Sequence, residues 1–108
     1  MTQKQIEESD WKNYRSIVSG LRERYLCARN KELISILTRQ SNTPTENFWD
    51  ANERMEEIER TLRVCLDDHR RSRMLWNLVL MYQHQMITDD DLNGFSEEVR
   101  VHISTLID

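Results

Sequence analysis

With 108 residues, the chain has the length of one domain and room for a single modest core. Charged residues make up 31% and hydrophobic residues 38%, with only two Gly and one Pro, which suits amphipathic helices better than strands joined by tight turns. A net charge of -4 and a pI near 5.4 count against general DNA or RNA binding, which normally goes with a basic excess.

The charge is uneven: residues 1–40 hold eight Lys/Arg against five Asp/Glu, whereas residues 89–108 hold six acids against Arg100 alone. No apolar run approaches the ~20 residues of a membrane span, and the opening MTQKQIEESD lacks the apolar stretch of a signal peptide, so a cytoplasmic protein is expected. Cys27 and Cys65 are too far apart for a C-x-x-C motif and read as reduced, half-buried thiols.

In chain order, residues 1–9 read as a flexible N-terminus. Ser9 ahead of Asp10 and Trp11 reads as a helix cap. Apolar residues then recur at helical spacing through Trp11, Tyr14, Ile17/Val18, Leu21 and Tyr25, and again at Leu33, Ile34, Ile36 and Leu37. The spacing predicts one helix over 10–39, with Gly20 a weak point and Asn30 a possible break. About 30 residues at ~1.5 Å each make a rod of ~45 Å, longer than a compact fold of this size should be across. Its apolar stripe, Trp11, Tyr14, Val18, Leu21 and Tyr25, is therefore expected to pack against a second copy in a two-fold dimer.

The second helix has the clearest start: Thr43 as cap, Pro44 at the first helical position and Glu46 completing a capping box. Phe48, Ala51, Met55, Ile58, Leu62 and Cys65 follow as an inward stripe, ending in the polar cluster DDHRRSR. Met74, Leu75, Leu78, Val79, Met81, Tyr82 and Met86 then form the most buried helix. Thr88 caps an acidic turn DDDLN closed by Gly94, and Ser96 caps a last helix with Glu97 and Glu98 in its first turn and Val99, Ile103 and Leu106 facing inward. The fold expected is all-α: a single domain with a long dimerising helix followed, over 43–108, by a head of three to four shorter helices.

Little here points to catalysis or metal binding. The run D89-x-D91-x-N93-G94 copies the opening of an EF-hand loop, but its twelfth position, where a bidentate Glu must close the calcium shell, is Arg100. His69, His84 and His102 are scattered, and no nucleophile elbow or phosphate-binding glycine loop occurs. No catalytic residue, metal site or cofactor is expected. The informative surface is aromatic and basic: Trp49 near the start of the second helix, then Arg60, Arg63, Arg70, Arg71 and Arg73 toward and beyond its end. Trp and Arg are enriched at binding hot spots, one offering large rigid area and the other a planar fork of donors.

The segments KELISIL, ENFWDANE, DHRRS, MLWNLVLMYQHQM and DDDLNGF stand in an order and spacing that resembles the fluorescence recovery protein family of cyanobacteria, over about 70 residues. That family consists of small helical dimers that reset the photoactivated orange carotenoid protein. The resemblance implies a non-enzymatic homodimeric regulator, binding a client protein and favouring its return to the resting state. Carried over by position, Trp49 matches the family's partner-binding Trp, Glu53 its neighbouring acid and, within one residue, Arg60 its functional Arg. Asn52 stands where the family has His, and Arg71 where it has Tyr. The partner-binding set expected is Trp49, Asn52, Glu53, Arg60, Arg63, Arg70 and Arg71. The alternatives are a helical protein that shares only the scaffold and serves another client, or a nucleic-acid-associated protein using Arg60 to Arg73 against phosphates.

Overall fold

The structure, a computed structural model, describes residues 6–107. Five α-helices and one 3-10 turn follow in order: α1 (Glu8–Leu37), α2 (Pro44–Leu66), the turn Arg71–Arg73, α3 (Met74–Gln83), α4 (Asp89–Leu92) and α5 (Glu97–Ile107), with no strand among the described residues. The chain is all-α. Among the described residues, no helix is long and apolar enough to cross a membrane.

α1 runs unbroken through Gly20 and Asn30. A Cβ at Gly20 would meet nothing within 4 Å, so this glycine imposes only its propensity cost of about 1 kcal/mol and no kink. The helix starts earlier than the sequence suggests. Glu7 takes the cap position without a side-chain capping bond, and Ser9 lies inside the first turn. Two acids in that turn, Glu8 and Asp10, favour the positive end of the helix dipole, and Arg71 Nη1 holds Glu8 at 2.8 Å. Of the segment expected to be flexible, Glu8 and Ser9 are thus helical, while residues 1–5 lie outside the described residues.

α2 begins as its capping box requires: Glu46 N donates to Thr43 Oγ1 at 3.1 Å, and Thr43 N donates to Glu46 Oε1 at 2.8 Å. The buried Asn47 closes the preceding loop by donating to the carbonyl of Arg39 at 2.9 Å and to that of Leu37, left over at the end of α1, at 3.4 Å. α1 and α2 therefore form an antiparallel hairpin. Ion pairs Arg54 to Glu32 and Arg39 to Asp50 link the two helices along one side. The inward row of α2 is Asn47, Ala51, Ile58 and Cys65, whereas Phe48 and Met55, expected in the core, are exposed. The apolar stripe of α2 is wider than its contact with α1.

Residues 67–107 fold into a head that sits on the first half of α1. Its core of Met74, Leu78, Met81, Met86, Phe95, Val99 and Ile103 is continuous with Tyr14, Val18, Leu21 and Tyr25 of α1. These α1 residues, expected to meet a second copy, are thereby buried within one chain, and Trp11 is half-buried beside them. The physical reason is that the head folds back over the N-terminal half of the rod. Polar ties lock it there, among them Asp10 to Ser96, Asn13 Nδ2 to the Gly94 carbonyl at 3.1 Å, Asn77 Nδ2 to the Tyr14 hydroxyl, and Arg24 to Asp91 and to the Met86 carbonyl. A Cβ on Gly94 would stand 3.0 Å from Asn13 Nδ2, so the glycine permits this close approach. Leu106 of α5, expected to face inward, is exposed.

α3 ends at Gln83 rather than continuing to Met86. Met86 N donates to the Met81 carbonyl and Gln85 N to the Tyr82 carbonyl, a Schellman closure with Gln85 at φ 62° in the position glycine usually takes. The rod beyond the head makes the molecule long, 56 × 25 × 24 Å, with a radius of gyration of 16.8 Å against ~13 Å for a compact domain of this length.

Candidate functional site

The free end of the hairpin has two unlike sides. Around a helix of 3.6 residues per turn, the α1 residues that tie to the head (Asp10, Asn13, Tyr14, Arg24) fall on one side, and Leu26, Ile34 and Leu37 fall on the other. In α2 the same division separates Arg54, Glu57, Thr61 and Val64 from Phe48, Met55 and Leu62. Because the helices are antiparallel, Ile34 and Leu37 share a side with Phe48 and Met55. That side carries no inter-helix ion pair among the described residues.

Ile34, Leu37, Phe48, Trp49 and Met55 are each 52–60% exposed. Together they offer on the order of 500 Å² of apolar side-chain surface, the size at which an exposed patch marks an interaction site. Phe48 and Trp49 pack edge to face with centroids 4.9 Å apart, so the aromatic pair is held as a unit.

Trp49, Asn52, Glu53, Arg60 and Arg63 all lie on the outward face of α2, turned from α1 and exposed over ~21 Å of helix. Arg63 is paired with Glu59, while Arg60 makes no ion pair among the described residues and lines a shallow groove with Glu57, Val64 and His84. Arg70 and Arg71 are not part of this face. Arg70 grips Asp68 through Nε at 2.9 Å and Nη2 at 2.7 Å, and Arg71 binds Glu8 and the Ile6 carbonyl beneath Trp11. The basic cluster that looks continuous in sequence is divided in space, and most of it is neutralised locally: Arg70 holds the Asp68 carboxyl below its usual range, and Arg71 does the same to Glu8.

Sequence reasoning assigned Phe48 and Met55 to the core and made no separate use of Ile34 and Leu37. The one available signal was the apolar width of each helix, too great for a single contact stripe. The acids of the EF-hand-like run have structural partners. Asp91 accepts from Thr88 N at 2.8 Å and pairs with Arg24, which lowers its carboxyl pKa, and Asp89 accepts from the Tyr82 hydroxyl at 2.8 Å. Cys65 is fully buried and its thiol is pushed up to about 11, so it is a core residue without nucleophilic character.

No family model, curated protein or solved structure matches the chain.

Proposed function

We propose that this chain is a non-enzymatic helical regulator that self-associates through the apolar side of its hairpin and binds a client protein through the outward face of α2. The observation that carries the reading is the uncovered set Ile34, Leu37, Phe48 and Met55, at the end of the rod farthest from the head. Two such hairpins laid side by side form a four-helix bundle, which would cover the apolar stripe that the chain leaves bare. The interface proposed here lies on α1 beyond Tyr25 together with α2, not on the Trp11 to Tyr25 stripe.

The client surface consists of Trp49, Asn52, Glu53, Arg60 and Arg63. Its helix order and its Trp, acid and Arg positions support a client of the kind the fluorescence recovery protein family serves, an orange carotenoid protein. Asn52, which departs from that family and lies on this face, tunes the recognition. The mechanism is a population shift: the regulator binds one client conformation more tightly, and a ~10⁴-fold preference, about 5.5 kcal/mol, would carry a client from 1:99 to 99:1. No cofactor takes part.

The test is solution mass by light scattering over a dilution series. Wild type is expected near twice 13.1 kDa, and Leu37→Glu/Phe48→Glu near 13.1 kDa with unchanged helicity. A wild-type monomer at all concentrations refutes the assembly. The client is tested separately by the dark recovery of photoactivated orange carotenoid protein, which wild type should accelerate and Trp49→Ala should not. An unaltered recovery rate removes that client.

A further inference from the structure

A second surface lies on the first half of α1, away from the free end of the hairpin. There Trp11, Arg15, Val18 and Arg22, spaced four, three and four residues apart, form one wall of an open groove whose other wall is His69. Arg22 is half-buried and Arg15 exposed, and neither makes an ion pair among the described residues. Arg15 instead lies 5.9 Å from the Trp11 ring centroid. Of the nearby acids, Glu8 pairs with Arg71 and feels Arg15 only as a lesser charge, Asp68 pairs with Arg70, and Asp10 accepts from Ser96.

We propose that this groove binds an acidic segment of a partner polypeptide, with Arg15 and Arg22 each taking one carboxylate and Val18 seating an apolar side chain between them. The spacing supports this choice. Seven helical residues separate the two arginines by ~10.5 Å, and in an extended strand at ~3.3 Å per residue carboxylates at i and i+4 share one face ~13 Å apart with residue i+2 between them, a difference the long Arg and Glu side chains absorb. A guanidinium presents a planar fork that matches a carboxylate bidentately. A nucleic acid fits less well, because two cations and a short apolar floor do not track a charged backbone and the chain as a whole carries -4.

The inference rests on the reading of the chain as a protein-binding module, but its assay reads this groove alone. The probe is a fluorescein-labelled peptide, Gly-Ser-Glu-Ser-Leu-Ser-Glu-Gly, followed by fluorescence anisotropy at low salt against the full chain. Saturable binding is expected, weakened at least tenfold in Arg15→Gln/Arg22→Gln and in a peptide with both glutamates replaced by glutamine. Trp49→Ala should leave it unchanged, so loss of the client surface and loss of the groove are told apart. If far-UV dichroism shows the double variant unfolded, Arg15→Gln alone, at an exposed side chain, is read instead, with a loss of at least threefold expected. The proposal is overturned if wild type does not bind or if the variants bind as wild type does. It also fails if a ten-nucleotide oligothymidylate binds more tightly through the same arginines, or if the variants lower the solution mass, which would place them in self-assembly.

Discussion

Replacing Asp10 by Ala is expected to destabilise the protein by about 3 kcal/mol. The Asp10 carboxylate is 3% exposed and accepts from Ser96 N at 2.8 Å and from Ser96 Oγ at 2.7 Å. Ser96 Oγ in turn accepts from Val99 N at 3.3 Å, so the carboxylate sits at the positive end of α5. Hydrogen bonds to a charged group contribute about 1.5–3 kcal/mol each, and relief of the carboxylate's own desolvation offsets part of two such bonds, leaving about 3 kcal/mol. At ~4–8 °C per kcal/mol for a domain near this size, Tm should fall by ~12–24 °C. The assay is urea unfolding followed by far-UV dichroism, with thermal melts alongside. Asp10→Asn keeps the volume but loses the charge, and should retain less than half of the contribution. Losses below about 0.5 kcal/mol in both variants would refute the argument that this tie holds the head to the rod.

Gln85→Gly should stabilise by about 1 kcal/mol in the same assay, because Gln85 occupies a left-handed conformation that glycine adopts without a Cβ penalty. Glu32 and Asp91, held below the usual carboxylate range by Arg54 and Arg24, contribute stability that is present above their unfolded values near ~4 and is lost as pH falls through the folded ones. Unfolding free energy should therefore be level from neutral pH to about 5 and decline below about 4.5, with a shallower decline in Asp91→Asn; equal slopes would discount the Arg24 pair. At pH 8 a maleimide should label the exposed Cys27 rapidly and Cys65, buried and raised to about 11, only at the rate of unfolding. Asn77→Leu should destabilise by about 1–3 kcal/mol, since Asn77 Nδ2 donates to the Tyr14 hydroxyl at 3.1 Å and to the Asp68 carbonyl at 2.6 Å inside the core.

Local signals were legible where they were complete within a few residues. The Thr43, Pro44 and Glu46 box marks the start of α2 to the residue, and the Thr88 and Ser96 caps stand where their side chains indicated. The start of α1 was misplaced because Glu7 leads it without a side-chain bond, leaving Ser9 as a more conspicuous but false cap. The end of α3 was missed for a related reason: the residue that turns the chain is Gln85, and no glycine announces it. The site was harder. Phe48 and Met55 have core-type side chains at core-type spacing, and only the position of the head decides that nothing in this chain covers them.

The amphipathic pattern, together with the scarcity of Gly and Pro, determined by itself an all-helical chain with a long first helix, because helix formation depends on contacts within a few residues. Which apolar stripe is buried was decided by tertiary structure alone. Asp10 meeting Ser96, Arg24 meeting Asp91 and Tyr14 meeting Asn77 join residues more than 60 positions apart. Those ties turn the head onto the Tyr14 to Tyr25 face of α1, and so leave bare the side of the hairpin on which Ile34, Leu37, Phe48 and Met55 await a partner.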